Sequence, residues 1–236
     1  MPVVGISCYV EPARWGARDM PAALVPVWYL DLLHAAGADI VILPPEQDPA
    51  VLDRLDGLVL VGGADIDSQR YGQQPHATAD TPRTSRDSSE FALYSYARER
   101  NMPFLGICRG LQVMAIAHGG SLIQDLPSVE GTVVHRERPG AFVTHSATLA
   151  PDTVISQIYR SEKIAVNSSH HQAVDSPGDL TVTGWAPDGT IEVCENTANS
   201  FCVGVQWHPE HPERREMDLP LLQAFITAAR RYSGVT

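Results

Sequence analysis

Phe104-Leu105-Gly106-Ile107-Cys108-Arg109-Gly110-Leu111-Gln112 is the stretch on which the fold turns. Phe104 to Ile107 is a short apolar run of the kind that makes a buried strand, and Leu111, Met114, Ala115 and His118 recur at helical spacing immediately after it. The chain therefore passes from strand to helix through one tight turn with a cysteine at its tip. Gly106 and Gly110 let the neighbouring elements approach closely enough to hold that turn residue in a sparsely populated backbone conformation. There the sulfur faces the unpaired N–H groups and positive dipole end of the helix, both of which favour thiolate over thiol. A cysteine behind an apolar strand can equally be a small buried hydrophobe. Reading Cys108 as a nucleophile requires a base from elsewhere in the chain.

Working outward, the segments before this turn alternate between short apolar runs and helical patterns. Val3 to Cys8 reads as a first strand, with Cys8 in the core, followed by a loop carrying Pro12, Trp15 and Gly16. A helix is expected from Pro21 to the stop at Gly37, through Leu24, Val27, Trp28, Leu32 and Leu33. Strands follow at Ile40 to Leu43 and Leu58 to Val61, separated by a short helix from Pro49 to Leu55. Such alternation predicts a mostly parallel sheet covered on both faces. The third strand runs into Gly62-Gly63-Ala64-Asp65-Ile66-Asp67, a turn whose N–H groups can meet an oxyanion. Ser68 to Arg86 reads as a long surface loop, and Ser88 or Ser89 as the cap of a helix ending at Arg100.

Beyond Gly119-Gly120 the pattern changes to short strand-like runs. These are Ser121 to Pro127, Phe142 to His145, Val154 to Tyr159, Leu180 to Trp185, Ile191 to Cys194 and Phe201 to Gln206, with a turn at Pro187-Asp188-Gly189-Thr190. This half is expected to be largely antiparallel. An amphipathic helix from Leu219 to Ala229 should pack back on the sheet. With no repeat, low-complexity tract or linker, residues 1–236 read as a single domain of the α/β class.

Composition narrows the function classes. The 236 residues are 44% apolar, ample for a core, and the formal net charge of -11 disfavours a nucleic-acid partner. Four cysteines without C-x-x-C spacing suggest neither zinc ribbon nor disulfide framework, and point to a reducing, cytoplasmic setting. No basic-then-apolar leader and no long apolar stretch is visible, so no membrane association is expected.

The base is found at His208. In an extended Gln206-Trp207-His208-Pro209-Glu210 the side chains of His208 and Glu210 point to one side. A carboxylate on one ring nitrogen fixes the tautomer and leaves the other nitrogen for sulfur. A metal site drawn from His170, His171, His208, Glu210 and His211 is a weaker rival, because adjacent histidines in extended chain diverge. No metal and no cofactor is expected. Gln112, one helical turn beyond Cys108, can hold a polar substrate, and Arg83, Arg86 and Arg109 can attract a carboxylate on the leaving side.

Gly106 to Gln112, Val166-Asn167-Ser168-Ser169-His170-His171-Gln172 and Trp207 to Glu210 together resemble the class I glutamine amidotransferases. Within them the chain is most similar to the stand-alone γ-glutamyl hydrolases of the peptidase C26 group, typified by the γ-glutamyl-γ-aminobutyrate hydrolases of putrescine breakdown. Gly62 to Asp67 with Tyr71-Gly72, and Gly119 to Asp125, extend the likeness over nearly the whole chain. The resemblance implies a flavodoxin-like three-layer core, with a smaller antiparallel portion in the C-terminal half. It also implies a triad of Cys108, His208 and Glu210. It places the oxyanion hole at the N–H groups of Arg109 and one of Gly62 and Gly63, and the glutamyl end near Gln112, His171 and Gln172. The expected activity is hydrolysis of a small-molecule γ-glutamyl amide through a thioester. The alternative is a glutaminase subunit feeding ammonia to a separate synthetase. A homodimer is left open. Asp67-Ser68-Gln69, where the subgroup often has proline, and Ala115 to His118, where asparagine is common, depart from the pattern and bear on the leaving group.

Overall fold

The computed structural model describes residues 1–198 and 201–234. In chain order the elements are β1 (Val3–Ser7), β2 (Tyr9–Trp15), β3 (Arg18–Leu24), α1 (Val27–Ala36), β4 (Asp39–Leu43), β5 (Gly57–Leu60), α2 (Thr84–Glu99), β6 (Phe104–Ile107) and α3 (Arg109–Ala117). They continue with β7 (Ser121–Ile123), β8 (Val143–Leu149), α4 (Val154–Tyr159), β9 (Lys163–Ser168), β10 (Ala173–Ser176), β11 (Thr181–Trp185), β12 (Ile191–Glu195), β13 (Cys202–Val205) and α5 (Arg215–Tyr232). Strands β4, β1, β5, β6 and β13 lie side by side in that order and all pair in parallel. Counted among themselves along the chain, their order is 2-1-3-4-5, the flavodoxin-like arrangement. From β13 the same sheet continues as antiparallel β12, β11, β8 and β9, with β10 and β7 branching from β12.

Period-two alternation of the apolar strands fills both faces. Val59, Val61, Leu105 and Ile107 pack with Leu32 and Leu33 of α1 and Phe225 and Ile226 of α5. Leu58, Leu60 and Phe104 point the other way, onto Leu93 and Tyr94 of α2 and Leu111 and Met114 of α3. Three layers result, and the carboxyl ends of β5, β6 and β13 meet at the Cys108 turn. No helix among the described residues is long and apolar enough to cross a membrane.

Several elements depart from expectation. The loop around Pro12 and Trp15 and the first turns of the expected helix at Pro21 instead form a two-stranded ribbon, β2 with β3, in register from Tyr9–Leu24 to Trp15–Arg18. Proline argues against a strand that must donate on both edges, but here Pro12 pairs with Pro21 across an isolated ribbon whose outer edges need no partner. The helix proper begins at Val27. Val154 to Tyr159 is α4, not a strand. Thr153 and Ser156 form a capping box, and Glu195 accepts from the Val154 and Ile155 N–H groups at 3.2 and 2.9 Å. Helix-start donors satisfied in this way outweigh the β preference of Val154, Ile155 and Ile158. Helix α2 begins at Thr84, so Ser88 and Ser89 lie inside it, and the preceding segment holds a 3-10 turn at Ser68–Tyr71.

The close approach expected at Gly106 and Gly110 is present. A Cβ on Gly106 would stand 2.6 Å from the carbonyl carbon of Gly110, and one on Gly110 would overlap the carbonyl oxygen of Leu60. Because backbone cannot move aside as a side chain can, Gly110→Ala should cost about 3 kcal/mol, the upper end of ordinary overpacking. Urea denaturation at equilibrium reads this directly.

Candidate active site

Cys108 joins β6 to α3 with φ 53° and ψ -104°, a conformation that a residue with a Cβ rarely adopts. Three bonds hold it there: its N–H donates to Val205 O at 2.7 Å, and its carbonyl accepts from Leu111 and Gln112 at 3.1 and 3.3 Å. The side chain is buried, 7% exposed, at the mouth of a small cleft.

His208 and Glu210 follow β13. The strand stops at Val205, so the pair does not face one way by strand alternation as expected; it meets within a turn, with Nδ1 of His208 2.7 Å from Oε1 of Glu210. The backbone of His208 is clamped from β9, where Asn167 Oδ1 accepts its N–H and Asn167 Nδ2 donates to its carbonyl, both at 3.0 Å. Nε2 is buried without a hydrogen-bond partner among the described residues. Gly62 makes the convergence measurable: a Cβ there would lie 3.1 Å from His208 Cε1, 3.2 Å from Tyr29 Oη and 3.5 Å from Cys108 Cβ. Burial opposes charge on the His208 ring, but the Glu210 carboxylate and the Cys108 sulfur outweigh it and hold the pKa well above the ordinary value.

The two glycines of the turn after β5 are not equivalent. Gly62 donates its N–H to Tyr29 Oη at 3.3 Å. Gly63 has φ 151°, and a Cβ on it would press within 2.9 Å of the Tyr9 ring and 3.0 Å of the Arg86 guanidinium carbon. The loop is gripped by its carbonyls. Arg86 Nη2 donates to Val61 O at 3.0 Å and Gly62 O at 2.8 Å, while Arg109 Nε donates to Ala64 O at 2.8 Å. Both guanidiniums are buried and end on acids of α2, Arg86 on Glu90 at 2.8 Å and Arg109 on Glu90 and Asp87. Burial raises the cost of charge on Glu90, yet Arg109 and Arg86 hold its carboxyl below the ordinary range. Arg86 and Arg109 are thus structural, and the expectation that they greet a substrate carboxylate gives way to a buried network that shapes the turn; Arg83 is taken up instead by an exposed ion pair with Glu11 at 2.6 Å.

The cleft brings Cys108 and Gly63 together with Gln112, His171 and Gln172, as expected, and adds Arg136. Gln112 Nε2 donates to Gln172 O at 3.2 Å and Gln206 Oε1 at 3.3 Å, leaving its oxygen for a ligand. His171 Nε2 lies 3.0 Å from Asp65 Oδ1 and its Nδ1 3.7 Å from Asp125. The rival metal grouping does not assemble: His171 turns to Asp65, His208 to Glu210, and His211 stacks with Trp28 and Phe142. Sequence reasoning passed over Tyr29, Asn167 and Arg136. Asn167 sits in a quoted motif but its partner is 41 residues away, and Arg136 lies in an irregular segment without periodicity.

With this geometry in hand, the fold finds a match in the CTPS glutaminase domain of Trypanosoma brucei with bound acivicin, at a TM-score of 0.71, 14% identity and coverage of 98% of this chain and 94% of that one. A family model for Peptidase C26 matches residues 2–210, and the chain belongs to that family of glutamine-amidotransferase-like hydrolases, enzymes acting on C–N bonds. A Mycobacterium tuberculosis protein provisionally named a glutamine amidotransferase is 42% identical over 239 residues, covering 99% of this chain and 76% of its own. The gamma-glutamyl-gamma-aminobutyrate hydrolase of Escherichia coli K12 is 31% identical over 216 residues, covering 85% and 84%.

The raised pKa of His208 has a direct readout. In an NMR titration its ring should remain protonated above about pH 6.5, the unperturbed value, and Glu210→Gln should bring the midpoint down. The same shift makes a stability contribution that is complete below the unfolded value and fades as pH rises through the raised folded one.

Proposed function

We propose that the chain hydrolyses γ-glutamyl amides, with Cys108 as nucleophile, His208 as acid and base, and Glu210 as the group that orients the imidazole. The observation that carries this reading is the meeting of a strained, glycine-braced cysteine with a histidine whose far nitrogen is bonded to a carboxylate. The Cys108 thiolate adds to the γ-carbonyl carbon, and the electron pair moves onto oxygen. The N–H groups of Gly63 and Arg109 receive that oxyanion, Gly62 being engaged with Tyr29. His208 gives its proton to the leaving nitrogen, the C–N bond breaks, and a γ-glutamyl thioester remains. His208 then takes a proton from water, which adds to the thioester and releases glutamate and the thiolate.

The cleft's charges suit the α end of a glutamyl group. Asp65, Asp80 and Arg136 all line it, acids to match an ammonium and a guanidinium to match a carboxylate. Arg136 makes no ion pair within the chain among the described residues. Arg136→Ala should therefore raise KM for γ-glutamyl substrates about tenfold or more, with a smaller change in kcat, as expected for lost ground-state binding.

The alternative, a glutaminase feeding a separate synthetase, is favoured by the name carried by the 42% identical relative. A panel of γ-glutamyl amines and free glutamine, compared by kcat/KM on the isolated chain, separates the two. Hydrolysis predicts rapid turnover of a γ-glutamyl amine; turnover of glutamine alone, accelerated by an added synthetase, favours the second. Cys108→Ala should reduce either activity about 10³-fold or more. Unchanged turnover in that variant would remove both readings.

A further inference from the structure

Beside the cleft, on the antiparallel half of the sheet, four side chains converge without satisfying one another. His145 stands on β8, His170 just after β9, Glu192 on β12, and His135 in the irregular segment before β8. Nδ1 of His135, Nε2 of His145 and Nε2 of His170 each lie 3.6 Å from the same oxygen, Oε1 of Glu192. Their side chains are 1%, 7% and 2% exposed, and that of Glu192 0%. All three inner nitrogens and both Glu192 oxygens are buried without a hydrogen-bond partner.

The outer nitrogens explain why. His135 Nε2 is 3.0 Å from Asp188 Oδ2, His170 Nδ1 is 2.9 Å from Gln172 O, and His145 Nδ1 is 3.2 Å from Ser146 O. Each of these partners is an acceptor, so each neutral ring carries its proton on the outer nitrogen and turns a lone pair inward. Three lone pairs thus face a carboxylate. One proton shared with Glu192 would satisfy one ring and leave two buried acceptors bare, at a cost of roughly 1–3 kcal/mol each. A single cation satisfies all four.

We propose that His135, His145, His170 and Glu192 form a binding site for one divalent transition-metal ion, zinc by its ligand set. Ligands about 2.0–2.2 Å from a tetrahedral ion stand about 3.3–3.6 Å from one another, the separation seen here around Glu192 Oε1. The four candidate ligand atoms all lie within 4.8 Å of each other. Imidazole and carboxylate suit zinc, and the outer bonds to Asp188 and two carbonyls orient the rings as metal-bound histidines are usually oriented. Four protein ligands leave no open position, so the ion is structural. It ties the segment carrying Arg136, and the loop carrying Ser169 and His171, to the centre of the sheet; these residues line the Cys108 cleft. In a second grouping, Asp65, Asp80 and His171, Asp80 is exposed, and Asp65 accepts from the Asp80 N–H at 2.8 Å and meets His171 at 3.0 Å, so no buried donor set is left unpaired there.

The test uses the full chain purified without chelators or metal resins. Elemental mass spectrometry should find about one equivalent of a divalent first-row metal per chain. After chelator stripping, zinc should raise Tm by about 5 °C or more, and cobalt(II) should give the visible bands of a tetrahedral site. His145→Ala and Glu192→Gln should weaken zinc binding at least about tenfold and alter or abolish those bands. Absence of bound metal, together with a stripped wild type whose Tm ignores zinc, overturns the proposal, and the wild-type titration decides even if a variant does not fold. Stoichiometric binding that both variants retain overturns it too, because the ion then lies elsewhere.

Discussion

The contact between Gly110 and the backbone of Leu60 is the constraint on which the site depends. Helix α3 can start directly beneath β5 and β6 only because neither Gly106 nor Gly110 carries a side chain at the crossing. That proximity forces Cys108 to φ 53° and aims its side chain out of the sheet, toward the carboxyl ends of the strands. Parallel β13, paired with β6 from Cys202–Phe104 to Val205–Ile107, then delivers His208 beside it. The strain at Cys108 is of order 1–3 kcal/mol. It is borne by a core in which both faces of every central strand are packed.

A second constraint shapes the turn that faces the sulfur. Two arginines and two acids, all buried, sit beneath Gly62 and Gly63 and hold the loop by its carbonyl oxygens. A peptide whose carbonyl is pinned on one side presents its N–H on the other. Such a network is weak evidence for stability, since desolvation consumes much of its Coulombic gain, but it defines a unique loop conformation. Tyr29 adds to this by occupying Gly62 N–H. The two glycines are thereby held differently, a distinction that spacing alone does not draw.

Legibility from sequence followed the range of the interactions. The central strands, the Cys108 turn, α3 and α5 were readable because their patterns are local and repeated. The β2–β3 ribbon was hidden by Pro12 and Pro21, whose cost vanishes only where strand edges are free. Helix α4 was hidden by β-branched residues whose caps include Glu195, some 40 residues away. The pairing of His208 with Glu210 was found for a partly wrong reason: the expected alternation gives way to a turn, and the two-residue separation survives the change.

Residue chemistry and spacing determined the class of the fold, the position of the sulfur, and the imidazole and carboxylate that accompany it. Tertiary structure alone decided which charges are spent inside the protein and which face the cleft. Arg86 and Arg109 look like ligands in the sequence and are buried counter-ions in the fold, while Arg136 looks unremarkable and lines the Cys108 cleft with no ion pair among the described residues. The physical reason is that a charged side chain's role depends on the partners and solvent within a few ångströms of its tip. Those neighbours come from segments that only the folded sheet brings together.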